Sequence, residues 1–154
     1  MFALAIIGCL SACDPIYGVK RSAPIHADPT TECVERILRA TPEIQTVEYK
    51  HSTGGRPLTW TGIKPPTLVE TFLYQGPDNV RSVLQYKKDY AGRFTFAQMD
   101  LRMGQSPPQK EVSATRLVMR KVEYALESEC GLVELTSHVT EQCWKEKCAP
   151  MTLD

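Results

Sequence analysis

A chain of 154 residues is long enough for one domain with a real core. Its 18 Lys and Arg balance 18 Asp and Glu, so bulk charge gives no reason to expect nucleic acid or an acidic membrane surface as the main partner. Beyond the opening segment, no stretch approaches the roughly 20 apolar residues of a membrane-spanning helix, and there is no internal repeat.

The first element is an apolar run from Phe2 to Leu10, about half of what a bilayer crossing requires but suited to the apolar stretch of a secretory signal. Gly8, Asp14-Pro15 and Gly18 make the region a poor helix beyond a few turns. The run ends in Leu10-Ser11-Ala12-Cys13, an aliphatic residue and two small ones before a cysteine. The small residues leave an extended backbone open to a protease at the membrane surface. This stretch resembles the lipobox of bacterial lipoproteins. The resemblance covers these residues only, and it implies a signal peptide over residues 1–12 that leaves with Cys9. It also implies fatty acylation of Cys13 and a domain anchored in the cell envelope, facing the periplasm. Asp14 is similar to the inner-membrane retention signal of enterobacterial lipoproteins, which favours the inner membrane over the outer.

Residues 13–28 are rich in Pro and polar residues without a sustained period, and read as a tether. Fully extended, it would reach about 60 Å. Residues 29–154 then form a single α+β domain. Asp28-Pro29 reads as a helix start, with Asp28 as N-cap. Cys33, Val34, Ile37 and Leu38 fall on one face, and Thr41-Pro42 ends the helix. "IQTVEYKH" alternates as a strand, and residues 52–66 form a long loop around Trp60. "TLVETFLYQ", "VRSVLQYKK" and "RFTFAQMDLRM" are three further strands joined by the short turns "GPDN" and "DYAG", which predicts an antiparallel meander. In the last of these the apolar parity changes, from Phe94 and Phe96 to Met99, Leu101 and Met103. Either a bulge near Ala97-Gln98 or coverage of both faces would account for it.

"GQSPPQ" breaks the sheet, and residues 111–130 make the clearest helix, with Val118, Met119, Val122, Ala125 and Leu126 as its stripe and Gly131 as its stop. The tail holds a short strand and then a cysteine-closed turn or helical turn. The expected architecture is a two-layer sandwich, three to five antiparallel strands with both helices on one face.

With Cys9 removed and Cys13 acylated, Cys33, Cys130, Cys143 and Cys148 remain, and three pairings of them are possible. Cys33 lies on the stripe near the start of the first helix and Cys130 near the end of the second. Side-by-side antiparallel helices favour Cys33–Cys130, which leaves Cys143–Cys148. His138, Cys143 and Cys148 could supply metal ligands, but their spacing does not match zinc pairs and an exported domain favours disulfides. "CWKEKC" lacks the C-x-x-C spacing of redox exchange.

No nucleophile elbow, zinc-protease motif or phosphate loop occurs; "STGG" lacks the following Lys-Ser/Thr and helix start. No cofactor is implied. Glu48, Glu70 and Asp100, beside Lys50, Arg81 and Arg102, read as a solvated sheet face with cross-strand pairs. Phe72, Tyr74, Tyr86, Phe94 and Phe96 share parity and form either a partner-binding patch or the core beneath the helices. The loop with Arg56, Trp60 and Lys64 is a rival partner site. The expected function is non-enzymatic binding of a protein or cell-wall glycan, as in envelope assembly, enzyme inhibition or toxin immunity. The alternative is a periplasmic hydrolase built around His51, the sheet carboxylates and the 52–66 loop.

Overall fold

The computed structural model describes residues 16–53, 68–103 and 107–144. In chain order these form strand β1 (Ile16–Ile25), helix α1 (Thr31–Ala40), β2 (Thr46–Thr53), β3 (Leu68–Gln75), β4 (Arg81–Lys88), β5 (Phe94–Met103), α2 (Gln109–Glu129), the single turn α3 (Leu135–His138) and β6 (Thr140–Trp144). The fold is α+β. Its sheet has six strands in the order β2-β3-β4-β5-β1-β6, and every neighbouring pair is antiparallel.

The meander β2–β5 matches the sequence expectation. The count of three to five strands does not, because β1 and β6 complete the sheet. β1 overturns the tether over most of its length: Ile16–Ile25 pairs with all of β5 on one side and with β6 on the other. Pro24 and scattered charges hid it, since its inward positions Val19, Arg21, Ala23 and Ile25 are not uniformly apolar. Pro24 is tolerated because β6 reaches only to Ser22, so its missing N–H costs no bond on that side.

The helix before β2 starts later than expected. Thr30, not Asp28, is the N-cap, and its side chain accepts the Cys33 backbone N–H at 3.3 Å. Arg39 in the last turn bonds Glu35 one turn earlier, and Thr41 caps the end. Between β3 and β4, a 3₁₀ turn over Pro77–Asn79 places Asp78 and Asn79 at positive φ, which short polar residues tolerate. Between β4 and β5, the Asp89 carboxylate accepts the Ala91 and Arg93 backbone N–H groups, and Gly92 takes φ +77°. α2 closes as expected, with Gly131 at φ +71° just beyond it.

Inward side chains of one strand parity (Ile25, Phe72, Tyr74, Leu84, Tyr86 and Phe96 among them) form one core with Val34, Ile37 and Leu38 of α1 and Val118, Val122 and Leu126 of α2. The Cys33–Cys130 disulfide joins the start of α1 to the end of α2, with Cα atoms 5.8 Å apart. It closes a loop of 97 residues, which stabilises by about 4–5 kcal/mol in the chain-entropy account. Cys143 on β6 is also disulfide-bonded. Cys148, Cys13 with its lipobox, and Trp60 lie outside the described residues.

Candidate functional site

Three places on the described fold bear on function. The first is the aromatic set. Phe72, Tyr74, Tyr86 and Phe96 are buried in the core, with Phe72 at 0% exposure. Phe94 is half-buried, with Lys88 Nζ 5.2 Å from its ring centroid. These rings therefore make no exposed partner patch. Their parity turns them toward α1 and α2, where their large area stabilises the core.

The second place is the end of the sheet beside the start of α1. Glu70 on β3 is 6% exposed and accepts the Tyr49 hydroxyl at 2.5 Å; its other oxygen lies 2.7 Å from His51 Nδ1. Cross-strand registry explains the grouping, since His51 sits directly opposite Glu70 and Tyr86 is its partner on β4. Thr31, the first residue of α1, joins the group through a 3.2 Å bond to the Tyr86 hydroxyl. The Glu70 carboxylate, then burial, raise the Tyr49 hydroxyl above its usual value; burial pushes Tyr86 up to about 12. Both phenols are thus held neutral, and Tyr49 donates to Glu70. With Nδ1 bound to Glu70, the half-exposed ring of His51 keeps Nε2 for solvent or ligand.

This group only partly matches the expected hydrolase site. Glu48 lies on the opposite face, exposed, with Lys50 at 3.2 Å. Asp100 is buried on β5, away from His51. Glu70 and Asp100 are therefore not members of a solvated sheet face, and the three carboxylates do not converge.

The third place was not anticipated from the sequence. Under α2, a charged network is set into the apolar core. Arg21 of β1 holds Glu123 of α2 in a two-point grip, Nε–Oε1 and Nη2–Oε2 both at 2.9 Å, and its Nη1 reaches Glu141 of β6. Arg116 of α2 donates to the other Glu141 oxygen at 2.5 Å. Gln98 of β5 is wholly buried; its amide donates to Glu123 and to the Met119 carbonyl, and its oxygen accepts the Tyr74 hydroxyl. Burial pushes the Glu123 carboxyl up, opposed by Arg21. Burial acts the same way on Glu141, but the bonds from Arg116 and Arg21 outweigh it and hold that carboxyl below its ordinary value. Each charge has a partner, so the network is built to hold β1, β5, β6 and α2 together.

This network also explains the parity change in β5. The ladders to β4 and β1 run without a break, so there is no bulge. Gln98 and Asp100 continue the inward parity of Phe94 and Phe96, and Met99 faces the other way. The signal was present as polar residues continuing an apolar parity.

The opposite face of the sheet carries half-exposed Val69, Leu73, Val83 and Met99, with Leu73, Val83 and Met99 side by side across three strands. A shallow concavity of about 250 Å³ lies at its β2–β4 end, lined by Glu48, Leu73, Gln75, Arg81 and Val83 among others. Lys20, Arg81 and Lys87 stand on this face and make no salt bridge among the described residues. Elsewhere, the disulfide at Cys143 removes it as a thiolate ligand. Among the described residues no group of three or more His, Cys, Asp or Glu could hold a metal ion. No protein family matches the chain's sequence, and no curated protein or solved structure matches it either.

Proposed function

We propose that the chain is an envelope lipoprotein, exported and anchored through acyl chains on Cys13, whose folded domain is a non-enzymatic binding module in the periplasm. In this reading α1 and α2 cover one face of the sheet as a two-layer sandwich, and the other face is the binding surface. One observation carries it: that face combines a half-exposed aliphatic row, Leu73–Val83–Met99, with cations that have no salt bridge among the described residues. The composition suits recognition of an anionic partner. The Cys33–Cys130 disulfide supports an oxidising compartment.

Two experiments test the reading. Cys13→Ala should abolish fatty-acid labelling and release the domain from membranes; continued labelling would contradict the anchor. A photo-cross-linking residue at Val83 should give a defined adduct in intact envelopes, and the same residue at exposed Tyr124 on α2 should not. Equal or no adducts at both positions would end the binding assignment. A second reading, a hydrolase, draws on the oriented His51–Glu70 pair. It requires that His51→Ala leave the fold intact and abolish turnover of an envelope substrate.

A further inference from the structure

Because β1 begins at Ile16, only three Cα-to-Cα steps separate Cys13 from the folded sheet. Fully extended, they span about 10 Å. A domain anchored there stands against the bilayer instead of some 60 Å away. Which surface it turns to the membrane is then decided by charge. The chain as a whole is neutral. Among the described side chains of the open face, four are cationic (Lys20, Lys50, Arg81, Lys87) and one is anionic (Glu48), and Glu48 pairs with Lys50. On the helical side, by contrast, Arg36 pairs with Glu129, Arg39 with Glu35 and Lys121 with Glu43. The unbalanced cations surround the aliphatic row of Leu73, Val83 and Met99. Basic side chains at headgroup depth around an apolar centre match an anionic phospholipid interface.

We propose that the open face of the sheet docks on the anionic phospholipid surface into which Cys13 is anchored, an inference that rests on the lipid-anchored reading above. Lys20 is the nearest of these cations to the anchor, seven residues on, and so within about 25 Å of it along the chain. Docking fixes the domain's orientation and leaves α2 turned away from the bilayer.

The test is amine labelling of the acylated protein, read residue by residue by mass spectrometry. On vesicles of phosphatidylglycerol and phosphatidylethanolamine, Lys20 and Lys87 should label about threefold or more slowly than on phosphatidylcholine vesicles. Salt at about 0.5 M should relieve this, and exposed Lys110 on α2 should not change. Arg81→Glu, a change at an exposed position, should reduce protection at Lys87 without altering the circular dichroism of the fold. Equal labelling on both vesicle types, with the acyl mass present on Cys13, overturns the docking and leaves the anchor. Protection at Lys20 and Lys87 in a chain without the acyl mass keeps the docking face and removes the anchor. Loss of both removes both. Protection in whole envelopes but not on lipid vesicles overturns the lipid assignment in favour of an acidic protein.

Discussion

The two halves of the sheet's inward face are built on different physics. Over β2, β3 and β4, under α1, the buried side chains are Phe72, Leu84 and Tyr86, and stability comes from area removed from water. Over β5, β1 and β6, under α2, Arg21, Gln98, Glu123, Glu141 and Arg116 are set among buried Val19, Phe96, Met119 and Val122. There, stability depends on each charge keeping its partner. An apolar core tolerates shape changes by partial collapse, whereas a buried ion network tolerates removal of a whole pair better than removal of one member.

The largest expected effects set the two halves side by side. Glu123→Ala should destabilise by about 3–5 kcal/mol in denaturant titration, since it removes the two-point partner of buried Arg21 and leaves Glu141 alone to hold both Arg21 and Arg116. Phe72→Ala should cost a similar amount by leaving a cavity. The comparison sharpens with Arg21→Met combined with Glu123→Leu, which should recover most of the Glu123→Ala loss. No recovery would mean that the charged half is packed as tightly as the apolar one. Next comes the clasp between the helices. Replacing Cys33 and Cys130 together with Ala should cost about 3–5 kcal/mol.

A smaller effect follows from acid. Glu141 is held below its ordinary value of 4.5, so the unfolded chain takes up that proton first. Its contribution is complete above about pH 4.5 and is lost as the pH falls through the lowered value. Burial shifts Glu123 the other way, so its contribution has the opposite sign. Protection factors of the β6 amides should therefore fall in acid in the parent protein, and less so in Glu141→Gln, where Arg21, Arg116 and Glu123 still face the site. Identical acid profiles would remove Glu141 as the strand's latch. The smallest effect belongs to the exposed Glu48–Lys50 pair: Glu48→Ala should change stability by no more than about 0.5 kcal/mol.

The same contrast explains what was legible in the sequence. β2 to β5, α1, α2 and the Cys33–Cys130 pairing could be read because apolar residues repeat at strand or helix spacing. β1 could not: its inward Arg21 looks like solvated chain until Glu123 and Glu141, more than a hundred residues away, are known to meet it. Glu70 misled for the same reason, since Tyr49 and His51 make its burial tolerable only after β2 and β3 are paired. The open face was legible as residues but not as a surface, because Lys20 joins Arg81 and Lys87 only once β1 lies beside β5.

The proposed anchored, docked arrangement and the charged network in the core both stand on β1, so hydrogen exchange across Ile16–Ile25 tests them most directly. We expect these amides to exchange as slowly as those of β5, on which the whole strand is laddered. Exchange as fast as an unstructured peptide would contradict the account, return these residues to a tether, and leave Glu123 without its buried partner.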